Sequence, residues 1–148
     1  MNKNAIEMIV NETFEKMEFL SYDGKVSMAK HAVSNIVPLC SFLDIQSKGF
    51  LFIAVIFEHA FNADGKISAT EKKFLEDVFG NYKENVERWM PIKPGFIDTM
   101  YDMLIMFVSM DSDGKKHLAI LIATLLACDN RIVDSEKSYF KTLIEKLF

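Results

Sequence analysis

Proline and glycine are scarce in this 148-residue chain, at three and six residues. So few chain breakers argue against sheet or disorder and for compact helices. Cysteine is rarer still. Cys40 and Cys128 form no C-x-x-C pair and no other zinc spacing, and each has apolar neighbours, so both read as buried, reduced thiols. A basic face is also missing: the formal net charge is -4, and no basic run exceeds the pairs Lys72-Lys73 and Lys115-Lys116. Nucleic acid is therefore not an expected partner. The longest apolar runs, over 50–57 and 118–128, fall short of the roughly 20 residues that span a bilayer. The opening Met1-Asn2-Lys3-Asn4 lacks the long apolar region of a signal peptide. A cytoplasmic protein is expected, reaching a membrane only through a partner.

What is abundant is apolar. Half of the residues are hydrophobic, including 13 Phe and 9 Met. The length suits one domain over 1–148 with a sizeable core. The expected fold is all-α, a compact bundle of about seven to eight helices. The first runs over 4–20, with Ile6, Ile9, Val10 and Phe14 along one side. Ser27 is expected to cap the second, which Pro38 kinks or ends. Further helices are expected over 45–61, from Ser68 to near Gly80, and over 96–110, 115–128 and 134–147. A short one over 83–89 decides the count. Pro91, Pro94 and Gly95 make the clearest break.

Two stretches copy each other. Ala63-Asp64-Gly65-Lys66-Ile67-Ser68-Ala69-Thr70-Glu71-Lys72 returns as Cys128-Asp129-Asn130-Arg131-Ile132-Val133-Asp134-Ser135-Glu136-Lys137. In both, an acid opens a tight turn, an isoleucine follows three positions later, and a glutamate stands seven positions after the acid. Apolar helical stretches over 51–61 and 116–126 precede the turns. Phe74, Leu75, Val78 and Phe79 align with Tyr139, Phe140, Leu143 and Ile144 after them, at helical spacing. The unit is helix, acidic turn, helix, with repeats over about 50–80 and 115–148.

Gly65 and Asn130 hold matching positions, and both residue types readily adopt the left-handed conformation such a turn uses. Ser68 with Glu71 spells a capping box. Val133 replaces that serine in the second copy, so the box is expected to be lost there, with Asp134 available to cap one residue later. Two readings follow. Asp64, Glu71, Asp129 and Glu136 either form one acidic site, or they close turns and complement helix dipoles. A weaker third copy, Asp23-Gly24-Lys25-Val26-Ser27, keeps the turn but has Lys30 where the glutamate would stand. Asp111-Ser112-Asp113-Gly114 reads as a link into a helix beginning near Lys115.

Four clustered carboxylates would repel unless one is protonated, the pairs stay apart, or a cation sits among them. Calcium or magnesium, a hard cation with oxygen ligands, is the expected cofactor. Calcium takes six to eight oxygens at roughly 2.3–2.6 Å, which the four acids, turn carbonyls and water could supply. An EF-hand fits less well. Its first ligand position falls on Ala60 in the first copy, and its first and third fall on Leu125 and Ala127 in the second.

An apolar helix running into Asp-Gly-Lys-Ile-Ser-x-x-Glu-Lys, repeated before a C-terminal helix, resembles the TerB-like domains of tellurite-resistance and related stress-response systems. The resemblance is densest over 50–79 and 116–148. It implies an all-helical, non-enzymatic module with an acidic, metal-binding surface, at matching positions Asp64 and Glu71, then Asp129 and Glu136. Asn130 departs from the usual glycine, and 91–95 has no counterpart in the pattern.

Enzyme signatures are absent. Ser27-Met28-Ala29-Lys30 has the Ser-x-x-Lys spacing without its partner motifs, and no nucleophile elbow, phosphate loop or zinc helix occurs. The expectation is a non-enzyme that binds a divalent cation weakly or docks a partner protein, the alternative being a helical interaction scaffold with purely structural acidic turns. Trp89 and Met90, before the proline break, are the candidates for an exposed apolar patch, the other reading being that Trp89 closes the end of the core. The histidines, His31, His59 and His117, are scattered.

Overall fold

A computed structural model describes residues 2–39, 68–80, 96–129 and 132–148, and among these six α-helices and no strand occur. They are α1 (Lys3–Glu18), α2 (Tyr22–Ile36), α3 (Ala69–Phe79), α4 (Phe96–Ser109), α5 (Ser112–Leu126) and α6 (Asp134–Leu147). The helices expected over 45–61 and 83–89 lie outside the described residues, as do Trp89, Met90, Cys40 and His59.

Local chemistry explains where the helices begin. Asn2 caps α1, its Oδ1 accepting the Ala5 N–H at 2.8 Å. The second helix starts earlier than Ser27. Ser21 is its cap, taking the Gly24 N–H on Oγ at 3.0 Å, and Asp23 lies in the first turn, where a negative charge suits the helix N-terminus. Asp23-Gly24 is thus helical backbone rather than a turn, and Ser27 is simply an exposed helical residue. The same correction applies to α5. Asp111 caps it through Oδ1, accepting the Asp113 and Gly114 amides at 3.0 and 2.7 Å, so the helix begins three residues before Lys115. Cap-x-Asp-Gly-Lys therefore opens both α2 and α5. Both glycines sit in the first turn, and a methyl added at Gly114 would run into Leu39 Cδ1.

Ends are equally local. Pro38 stands two residues past α2, beyond the Val37 C-cap. Gly80 closes α3 at φ +66°, a left-handed conformation that other residues adopt only with strain.

The apolar stripes then assemble. α1 buries Ile6, Val10, Phe14 and Met17; α4 buries Tyr101, Leu104, Ile105 and Val108. α5 is buried nearly all round from Leu118 to Leu126, which makes it the central helix, in contact with α1, α2, α4 and α6. Its most extensive partner is α2. Phe14 and Phe140 meet edge-to-face at 5.2 Å and tie α1 to α6. Full burial of each such ring stabilises by roughly 1.5–3 kcal/mol. α3 is fastened to the start of α2 by Tyr22, which meets the Phe74 ring at 5.9 Å and donates from its hydroxyl to Asp77 Oδ2 at 2.6 Å.

Candidate functional site

Of the four acids singled out by the repeat, Glu71, Asp129 and Glu136 are described, and Asp64 lies outside the described residues. Glu71 and Glu136 hold the same helical position, third in α3 and third in α6, and each is only 5% exposed. Their carboxylates turn back onto their own helix starts. At α3 the box is complete: Glu71 Oε1 accepts the Ser68 N–H at 3.0 Å, and Ser68 Oγ accepts the Glu71 N–H at 3.1 Å. At α6 half of it survives. Val133 has no side-chain acceptor, yet Glu136 Oε1 still takes the Val133 N–H at 3.4 Å. Asp134, expected to cap this helix, is instead its first residue and is exposed. The backbone explains the shift, since the Val133 carbonyl already accepts the Glu136 and Lys137 amides at 3.1 and 3.2 Å.

The two glutamates face a common neighbour. Cys128, just past the end of α5, is a free thiol and 3% exposed. Burial drives its pKa well above the usual 9.0, with the charges of Asp129, Glu71 and Glu136 pushing the same way and Lys25 pulling against them. Carboxylates from both acidic segments thus lie within electrostatic reach of one sulfur.

The residue that sequence reasoning missed is Lys25. It is 1% exposed, in the first turn of α2, and its Nζ donates to the Ala127 carbonyl at 2.8 Å across 102 positions of sequence. That bond joins the start of α2 to the orphan carbonyls at the end of α5. Burial lowers the Lys25 pKa, because an ammonium loses hydration in the core; the charges of Cys128, when ionised, and Asp129 oppose the shift. Lysine is almost never this deeply buried unless paired. The only hint in the sequence was Lys25 itself, standing in the weak third copy where only turn chemistry was sought.

The arrangement is therefore of mixed sign: two buried glutamates, a half-buried Asp129, a protonated thiol and a buried lysine. Among the described residues no three His, Cys, Asp or Glu side chains converge closely enough to hold a metal ion. The second copy's missing EF-hand ligands are core residues, Leu125 and Ala127, at 0% and 2% exposure. No described helix is long and apolar enough to cross a membrane. Comparison with protein-family models, curated proteins and solved structures finds no match for the chain.

Proposed function

We propose that the chain is a non-enzymatic helical module of TerB-like character that works by docking a protein partner, and that its acidic turns are internal ties of the scaffold. The reading rests on one observation: Glu71 and Glu136 are turned inward, each on its own cap amide, toward a cluster that already contains the Lys25 ammonium. Carboxylates committed this way offer little to an external cation, because each already accepts a cap amide and the Lys25 ammonium stands beside the same thiol. Apolar side chains available for docking stand elsewhere, with Phe19 and Met110 90% and 71% exposed.

A second reading keeps a weak divalent-cation site, the surface the TerB-like resemblance implies for a stress-response module. Asp129 favours it, being half-buried beside a cluster that both glutamates also reach. Calcium and magnesium titrations followed by calorimetry and by the backbone NMR signals of Asp129 and Cys128 separate the two. The scaffold reading expects no saturable shift in the native chain. Saturable calcium binding that tightens in Lys25→Met would overturn it in favour of the cation site.

A further inference from the structure

His31 and His117 look unrelated in the sequence, yet they come from α2 and α5, the most extensively packed helix pair, and their rings meet. The imidazole centroids are 5.7 Å apart with planes at 73°. His117 is half-buried, and its Nδ1 is fully sheltered with no hydrogen-bond partner. A sheltered ring nitrogen left without a partner is costly and calls for an explanation. His31 is exposed, and its Nε2 lies 3.5 Å from Asn35 Nδ2, an amide that also donates to the His31 carbonyl at 2.9 Å. The Asn35 amide is the donor in that contact, so Nε2 of the neutral His31 ring carries the lone pair that can bind a metal once it turns from Asn35.

We propose that His31 and His117 form a two-histidine site for a borderline transition-metal ion, with Zn²⁺ as the reference, that clips α2 to α5. Imidazole suits zinc, copper and nickel, whereas calcium and magnesium take oxygen ligands. With zinc–nitrogen bonds of about 2.0–2.1 Å, two rings on one tetrahedral ion hold their centroids about 5 Å apart, near the observed 5.7 Å. The ion would give the His117 Nδ1 the partner it lacks. Asp113, one turn earlier on α5, is exposed and adds charge of favourable sign. No third His, Cys, Asp or Glu completes the set among the described residues, so water fills the remaining positions and binding is weak.

The test is a Zn²⁺ titration of the full chain followed by side-chain ¹H–¹⁵N correlation spectra of the imidazoles, with thermal melts alongside. The His31 and His117 signals are expected to move together, saturate at one ion per chain, and return on adding EDTA. His31→Gln, which alters an exposed ring and leaves the fold intact, is expected to weaken binding about tenfold or more and to abolish the zinc-dependent rise in melting temperature. His117→Gln should do the same, while His59→Gln leaves both signals responsive. The proposal is overturned if the two rings respond at different zinc concentrations, if His31→Gln binds as tightly as the native chain, or if Ca²⁺ or Mg²⁺ moves the same signals.

Discussion

The starts of α3 and α6 are two versions of one corner. At α3, Ser68 and Glu71 exchange both hydrogen bonds of a capping box; at α6, Val133 has removed one of them, and the surviving bond is longer, 3.4 against 3.0 Å. The glutamates nevertheless remain equally buried, and both act on Cys128. Glu136 keeps its own bond to the Val133 amide, which holds it inward, and Lys25 stands beside the same thiol. The corners differ in local chemistry and agree in where their charge is placed.

The strongest way to break that agreement is to remove the shared cation. Lys25→Met is expected to destabilise by about 3–5 kcal/mol in urea melts, because it leaves buried acids uncompensated and the Ala127 carbonyl unbonded. A loss under about 1 kcal/mol would mean the two corners are independent. Next in size is the coupling between lysine and acid. Glu136→Gln keeps an acceptor for the Val133 amide but loses the charge, so it separates capping from ion pairing. A double-mutant cycle with Lys25→Met should give about 1–3 kcal/mol of coupling, and a similar value for Glu71→Gln; a cycle that closes to zero leaves both glutamates as caps alone.

Smaller changes sharpen the local difference. Val133→Ser would restore the missing half-box and is expected to stabilise α6 by about 0.5–1 kcal/mol, while Ser68→Ala should cost α3 about 1 kcal/mol; chemical denaturation of both reads the contrast directly. The smallest effect is a pH slope. Burial holds the Cys128 proton in the folded chain above the usual 9.0, so the unfolded chain loses that proton first. Its contribution is fully present below pH 9.0 and is lost as pH climbs above it. Lys25 acts oppositely, since its lowered folded pKa makes stability rise with pH up to its usual 10.5. The stability difference between the native chain and Cys128→Ala should therefore be flat up to pH 9.0 and shift toward the variant above it.

Much of the fold was legible because it is local. Ser68 and Glu71 spell their box three residues apart, and Phe74, Leu75, Val78 and Phe79 mark the buried face of α3 at helical spacing. The errors were local too. Asp23-Gly24 and Asp113-Gly114 look like turns, but Ser21 and Asp111, two or three residues earlier, offer cap oxygens that draw those pairs into the first helical turn. The site was legible in part. Glu71, Asp129 and Glu136 announced themselves by repetition, whereas Lys25 did not, because its partner carbonyl belongs to a helix end 102 residues away.

By itself the sequence determined the helices, their caps and their apolar stripes, since hydrogen bonds and side-chain periodicity within a few residues decide those. Only tertiary packing decided that α2 lies along α5, and with it that a lysine ammonium is sealed beside Cys128 and that His31 meets His117. Helix faces pair according to how their volumes fit together, and that fit involves side chains distant in the chain which no short motif records.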